Sequence, residues 1–393
     1  MDLFEKCEKY DAPQKVIAAG VYPYFRAISS GQDIEVMMSG KRIVMIGSNN
    51  YLGLTSHPKV KKACIDAVEK YGSGCTGSRF LNGTIDLHIE LENRLANFLR
   101  KETALIYSTG FQTNLGVISC LVGKGDMIFS DRENHASIVD GCRLAFGKML
   151  KYRHNDMSEL ERLLKDAPAK PGKLIVTDGI FSMEGDICKL PDIVALAKKY
   201  GARIMVDDAH SVGVFGPGGR GTAEHFGLEK EVDIIMVTFS KSFASLGGCV
   251  ATTEKVVNYL KHNSRALIFS ASMPPAAVAA VLAALEIIEA EPERRERLWK
   301  IVRKMQKGFR DLKFNLGNTE SPIIPIIIGD DMATFKVARM LFEEGVFVNP
   351  IVSPATPPGR ALIRTSYTAT HTEEEMDFVL EKFKKVGKKM GMI

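Results

Sequence analysis

A lysine stands in Thr-Phe-Ser-Lys-Ser-Phe-Ala-Ser-Leu-Gly-Gly, directly after the apolar run Asp-Ile-Ile-Met-Val. This residue, Lys241, has apolar or small neighbours and no acid within several residues. An ammonium is costly to bury in such surroundings. Burial lowers a lysine's pKa and makes the amine a better nucleophile, and conversion to an imine removes the charge. Most loop lysines are merely solvated, so Lys241 gains meaning only from what lies near it. Asp207, Asp208 and His210 follow RIMV, and Asp178 and Ser182 follow KLIV. Ser108, Thr109 and Gly110 follow ALIY, and His135 comes soon after MIFSD.

Open parallel sheets bind ligands outside the carboxyl ends of their strands. If these runs are such strands, one sheet edge gathers carboxylates, imidazoles, hydroxyls and the amine. Asp207 alone reads as a turn cap. Paired with a strand-end lysine after the next helical crossover, it reads as the anion that keeps a pyridine nitrogen protonated. A protonated pyridine is an electron sink for a carbanion. Ser108–Gln112 offers backbone N–H donors to a phosphate at a helix start. His135, in Asn-His-Ala-Ser, is a turn histidine or a ring stacked on the pyridine. His210 is a core histidine or a donor to a phenolic oxygen. Arg364, in Ala-Leu-Ile-Arg-Thr-Ser, pairs with an acid or clamps a substrate carboxylate.

The glycine-rich segment GSGCTGSR, Gly72–Arg79, follows a helical pattern, lacks the GxGxxG spacing and is not followed by Gly-Lys-Ser/Thr. A dinucleotide fingerprint and a Walker loop are thereby disfavoured. A flexible loop at a ligand entrance fits better.

The elements that must position these groups read as strands alternating with helices. Strands are expected at Ala104–Tyr107, Met127–Ser130, Leu174–Asp178, Arg203–Asp207 and Asp233–Phe239, and helices at Pro58–Tyr71, Leu91–Leu99 and Leu190–Tyr200. That alternation implies a mostly parallel sheet covered on both faces. A long helical stretch at Pro275–Leu312 is expected to break at Pro292. Beyond it, strands at Pro322–Ile328, Val346–Asn349 and Ala361–Thr368 and helices at Met332–Glu344 and Thr372–Met390 form a smaller α/β region.

The chain has 393 residues, 45% hydrophobic, with a formal net charge of +5. That charge is too small and too dispersed for a nucleic-acid footprint. The N-terminus lacks a signal-peptide apolar region, and no run reaches the ~18 apolar residues of a spanning helix. The Ala-rich run Ala276–Ile288 reads as a core helix. The 7 cysteines form no CxxC pair and no zinc spacing, which points to reduced thiols, no metal and a cytoplasmic protein.

In this order the motifs resemble the α-oxoamine synthases, pyridoxal-phosphate enzymes of fold-type I. The resemblance runs over nearly the whole chain. It is carried by Ser48–Gly53 (SNNYLG), Gly72–Gly83 (GSGCTGSRFLNG), Ser108–Gln112, Asn134–Ser137, FSMEGD at Phe181–Asp186 and DDAH at Asp207–His210. It continues through TFSKS at Thr238–Ser242, FSASMP at Phe269–Pro274, FVNP at Phe347–Pro350, and Arg364 with Ala369–Thr372. The resemblance implies an N-terminal arm at 1–50, a large domain at 51–280 with a mostly parallel seven-stranded sheet, and a small C-terminal α/β domain at 281–393. It implies pyridoxal 5'-phosphate bound as an imine on Lys241, with Asp207 on the ring nitrogen and His135 stacked on the ring. His210 and Ser182 then face the phenolic oxygen, and Gly110, Phe111 and Thr238 hold the phosphate. Ser270 and Ala271 reach the phosphate of a neighbouring subunit in a homodimer with shared active sites. Asn50 and Arg364 bind the substrate carboxylate, and Arg26 is a further substrate contact.

The segments YPYFR, TFSKSFASLGG, HNSRALIFSAS and GVFVNPIVSPA are most similar to the branch that condenses L-serine with palmitoyl-CoA, releasing CoA and CO2 and giving 3-ketodihydrosphingosine. Branches using glycine or alanine with a shorter acyl-CoA usually carry glycine where this chain has Ser240. An aminotransferase on the same fold and a catalytically silent partner subunit are the other readings. The second is disfavoured because Lys241 is present.

Overall fold

The structure, a computed structural model, describes residues 2–393. The chain divides into two compact units: Asn49–Ser182 with Asp186–Arg297, and the residues up to Ser48 with Met183–Gly185 and Leu298–Ile393. The sequence reading sets residues 1–50 apart as an arm and places the later boundary at 280. In the structure the first residues cluster with the C-terminal unit, and the division falls inside the helix Glu293–Asp311.

In chain order the strands are β1 Glu35–Met38, β2 Lys41–Met45, β3 Thr103–Tyr107, β4 Met127–Asp131, β5 Lys148–Tyr152, β6 Lys173–Asp178 and β7 Arg203–Asp207. They continue as β8 Ile234–Thr238, β9 Gly248–Thr252, β10 Ile323–Gly329, β11 Val346–Phe347, β12 Asn349–Ile351 and β13 Ala361–Ser366. The larger unit holds a seven-stranded sheet of order β3-β9-β8-β7-β6-β4-β5. Every neighbouring pair is parallel except those made by β9, which runs antiparallel to both β3 and β8. Strands covered on both faces need apolar side chains in both directions. The sequence IIMVT of β8 and GCVAT of β9 meets that demand, and every residue of both is buried.

The sequence reading places β6, β7 and β8 to within a residue and does not anticipate β9. The chain returns to β9 without a helical crossover, so no alternation of strand and helix marks it. The connection between β8 and β9 is the segment that carries Lys241.

The helix Pro275–Ala290 is buried on nearly all sides, from Val278 through Leu285 and again at Ile287 and Ile288, as a core helix should be. It ends before Pro292, where the next helix begins at Glu293. Among the described residues no helix is long and apolar enough to cross a membrane.

The glycine-rich segment is tied down. Arg79 makes a two-pronged ion pair with Glu92, with N–O distances of 2.8 and 3.1 Å, and the two side chains are only 8% and 6% exposed. Glu92 Oε1 also accepts the N–H of Ile106 at 3.0 Å, and Gly77's carbonyl accepts the N–H and hydroxyl of Ser272. An entrance loop was expected here; instead the segment buttresses β3 and the stretch before the core helix. Arg79→Leu is expected to cost about 3–5 kcal/mol, because Glu92 is left as a buried unpaired charge. A urea titration checks this. Replacing Glu92 by leucine as well should recover much of the loss.

In the smaller unit β1 and β2 pair antiparallel and β11 joins β2 in parallel, while β13 lies between β10 and β12. Arg364 sits on β13 opposite Pro325 and Asn349 and is buried.

Candidate active site

The carboxyl ends of β4, β6, β7 and β8 bring Asp131, Asp178, Asp207 and Thr238 to one sheet edge, with Asp178 and Asp207 in register as neighbours. A cavity of about 260 Å³ opens there. Its wall includes Gly110, Phe111, His135, Ser182, Asp207, His210, Thr238 and Lys241, together with Asn114, Asp178 and Ser240. Of the residues expected at this edge, Thr109, Gly110, His135, Asp178, Ser182, Asp207, His210 and Lys241 line the cavity, and Ser108 and Asp208 do not.

Lys241 is half-buried between the buried Phe239, Ser242 and Phe243. No acid is near it in sequence, but acids arrive from other strands. Its ammonium and the Asp178 carboxyl lie close enough to influence one another. Burial, reinforced by the charge of Asp207, pushes Asp178 well above the usual carboxylate range, while the His135 N–H and Lys241 oppose the shift.

Asp207 is 3% exposed, and each carboxylate oxygen accepts an N–H. Oδ2 takes the Asn114 amide at 2.7 Å and Oδ1 takes the Ala209 backbone at 3.0 Å. The two donors fix the direction of the carboxylate. Asn114 also donates to the Ser137 hydroxyl at 2.8 Å, while its buried Oδ1 has no partner. The sequence reading overlooked Asn114. Its signal in the sequence was weak, because Asn114 directly follows the polar Gln112 and Thr113 in the same helix.

His135 caps the helix Ala136–Leu144 through Nδ1, 2.7 Å from the Ser137 hydroxyl and 3.3 Å from its backbone nitrogen. Its own N–H donates to Asp178 Oδ2 at 2.7 Å. Burial holds the imidazole below the ordinary histidine range, with Asp207 opposing and Lys241 adding to the shift. His210 Nδ1 lies 2.7 Å from the hydroxyl of Tyr51, which is fully buried. Tyr51 lay within a motif quoted from the sequence but received no role there, because the contact spans 159 positions. Asp208, by contrast, turns its carboxylate to the N–H of Thr222 and does not line the cavity.

The helix Gly110–Leu121 points its first turn at the cavity wall. Thr109 caps the Gln112 N–H at 3.0 Å, and Gly110 and Phe111 carry the N–H groups of the opening turn. A side chain at Gly110 would place its Cβ 2.5 Å from Thr238 Oγ1, so only glycine lets the helix start approach that hydroxyl. Thr238 Oγ1 is 3.0 Å from the Ser240 hydroxyl. A helix N-terminus with two hydroxyls beside it suits a phosphate. In the same cavity the Asp207 carboxylate suits a ring cation, and the Lys241 amine suits an aldehyde. The residues present thus fit pyridoxal phosphate.

Five other expected residues do not line this cavity. Asn50 is buried and engaged in its own loop, donating to Thr55 Oγ1 at 2.7 Å and accepting the Leu54 N–H at 3.0 Å. Ser270 accepts the Gln112 side-chain amide at 2.9 Å, and the carbonyl of Ala271 takes the Ser108 hydroxyl. Arg364 belongs to the smaller unit. So does Arg26, which stacks 4.0 Å over the Phe342 ring and donates to the Tyr22 carbonyl.

This chain belongs to the aminotransferase class I and II family, whose model matches residues 41–383. Within it the chain is 54% identical over 386 residues to the serine palmitoyltransferase of Sphingobacterium spiritivorum, covering 98% of this chain and 97% of the relative. It is 45% identical over 376 residues to the 8-amino-7-oxononanoate synthase of Thermoanaerobacter pseudethanolicus, covering 95% of each. A solved structure of SPT with a PLP internal aldimine matches with a TM-score of 0.98 at 38% identity over all of both chains. The serine palmitoyltransferase of Sphingomonas wittichii matches with a TM-score of 0.97 at 39% identity, again over all of both chains. The fold is that of the fold-type I transferases, as expected from the sequence.

Proposed function

We propose that this protein is a pyridoxal-phosphate-dependent acyltransferase that condenses L-serine with palmitoyl-CoA, giving 3-ketodihydrosphingosine, CoA and CO2. The observation that carries the reading is the convergence of Lys241 and Asp207 on one cavity beside a glycine-opened helix start. Full-length similarity to serine palmitoyltransferases supports the choice of substrates.

Pyridoxal phosphate supplies an aldehyde that takes up amines and a ring that accepts the electron pair released at the amino acid's Cα. Lys241 offers the amine that retains the aldehyde and, once freed by the substrate's amino group, the base that removes the Cα proton. Asp207 would keep a proton on the ring nitrogen. Gly110, Phe111 and Thr238 would hold the phosphate, and His210 and Ser182 would contact the phenolic oxygen. His135 would cover the ring and orient the substrate carboxylate. The Cα then forms a carbon–carbon bond with the acyl carbonyl carbon as the CoA thiolate leaves, the carboxylate departs as CO2, and a proton is returned to Cα in its place. Asn50, Arg364 and Arg26 are retained as substrate contacts. Ser270 and Ala271, outside the cavity of their own chain, are assigned to the phosphate of a partner in a cytoplasmic homodimer.

A CoA-release assay over a matrix of amino acids and acyl-CoAs tests the substrates. Serine with palmitoyl-CoA is expected to exceed glycine or alanine with short acyl-CoAs in kcat/KM, on the order of 10-fold or more. Faster release from the short-chain combinations would move the protein to the branch of the glycine C-acetyltransferases or of the 8-amino-7-oxononanoate synthases. Conversion of a 2-oxo acid without CoA would make it an aminotransferase.

A further inference from the structure

His154 follows β5 and does not line the cavity. Its Nδ1 lies 3.1 Å from Asp131 Oδ1, and its Nε2 lies 2.6 Å from Asp186 Oδ2. Carboxylates only accept, so both ring nitrogens must carry hydrogen for the two contacts to hold, and the ring is an imidazolium. Burial works against that charge, but the hydrogen bonds to Asp131 and Asp186 outweigh it and lift the ring to about 10. Asn155 doubles the link. Its N–H donates to Asp131 Oδ2 at 2.9 Å, and its side-chain amide donates to Asp186 Oδ2 at 3.1 Å. The Phe181 ring packs edge-on against the imidazole with centroids 4.4 Å apart, and the Phe181 N–H donates to the Asp186 carbonyl at 3.0 Å.

Both carboxylates belong to segments that enter the cavity. Asp131 ends β4, and the chain then runs through Asn134 to His135. The Asn134 side chain donates to the Val176 carbonyl and accepts the Asp178 N–H, each at 2.9 Å. Asp186 closes the loop in which Phe181 is followed by Ser182. One charged ring therefore joins the approach to His135 with the loop that carries Ser182.

We propose that His154 is a positioning residue: held between Asp131 and Asp186, it locks the two loops that present His135 and Ser182 to cofactor and substrate. The inference rests on the function proposed above. Without the ring, two carboxylates would lose their shared cation and repel each other, and Asn155 alone would hold the loops against that repulsion. Displacing a positioned group by about 1 Å costs on the order of 10²-fold in rate.

The test compares wild type, His154→Gln, Asp186→Asn and the double variant as holoenzymes. It reads amino-acid kinetics, the visible circular dichroism of bound pyridoxal phosphate, and Tm. For H154Q the amino acid's KM is expected to rise and kcat/KM to fall by roughly 10²-fold. The cofactor's dichroism should change with them. D186N should move the same readouts by less. The double variant should fall little further than H154Q alone, because both changes break one link. Variants that lose only Tm, with wild-type kinetics and dichroism, would overturn the assignment. So would a double variant whose loss is the product of the single losses. If H154Q does not fold, D186N, which keeps the side chain's shape, decides on the same readouts. A wild type with neither visible dichroism nor CoA release would count against the functional reading. Failure of the His154 assignment leaves the wild type active.

Discussion

Lys241→Ala is expected to reduce CoA release by roughly 10³- to 10⁴-fold, the range for removing a positioned base, while leaving the fold intact. Lys241 lies on the short connection between β8 and β9, and its side chain borders an already open cavity. Truncation therefore enlarges the cavity without opening a void in the core. Two functions vanish together, the amine that retains the aldehyde and the base that takes the Cα proton. Added methylamine replaces an amine in solution but not its position, so it should restore only a small part of the rate. Steady-state CoA release with serine and palmitoyl-CoA measures the loss, and unchanged Tm shows that folding is not the cause. Turnover near wild type would remove Lys241 from the mechanism.

Asp207→Asn should lower kcat on the order of 10²–10³-fold, comparable with removing a charge aimed at the reacting centre. The substitution keeps the shape of the side chain but exchanges an anion for an amide. Asn114 and Ala209 both donate N–H groups to this carboxylate, so the new amide nitrogen would face a donor on one side. The ring nitrogen of the cofactor would lose the negative partner that keeps it protonated. The loss should appear in kcat rather than in the KM of the acyl-CoA, because Asp207 stabilises charge that develops during reaction. Equal losses in both parameters would assign Asp207 to binding instead.

Much of this site was legible before the fold was known, for a physical reason. Strands buried on both faces are apolar throughout, so the first polar residue after each run marks a strand end, and strand ends in parallel sheets converge. That logic reached Asp178, Asp207 and Lys241, while Thr238 was supplied by the family resemblance. It could not reach β9, which returns without a helix and is built of small residues that carry little periodic signal. Nor could it reach Tyr51 or Asn114, whose importance lies in contacts with His210 and Asp207 from distant segments. His154 was invisible for the same reason, since neither of its carboxylates is near it in sequence. The glycine-rich segment was read as a flexible loop from its glycines, with no partner assigned to Arg79. Only the fold sets Glu92 against it. The joining of the first residues to the last unit is likewise a tertiary fact, fixed by the parallel pairing of β11 with β2.

The central claim is that the amine of Lys241 is where pyridoxal phosphate is held. Incubating the purified protein with the cofactor, reducing with borohydride and mapping the peptides by mass spectrometry tests it directly. The account predicts a yellow protein that bleaches on reduction and a single pyridoxyl group on the peptide containing Lys241. A protein that stays colourless, or a label carried by other lysines while Lys241 remains unmodified, would contradict it.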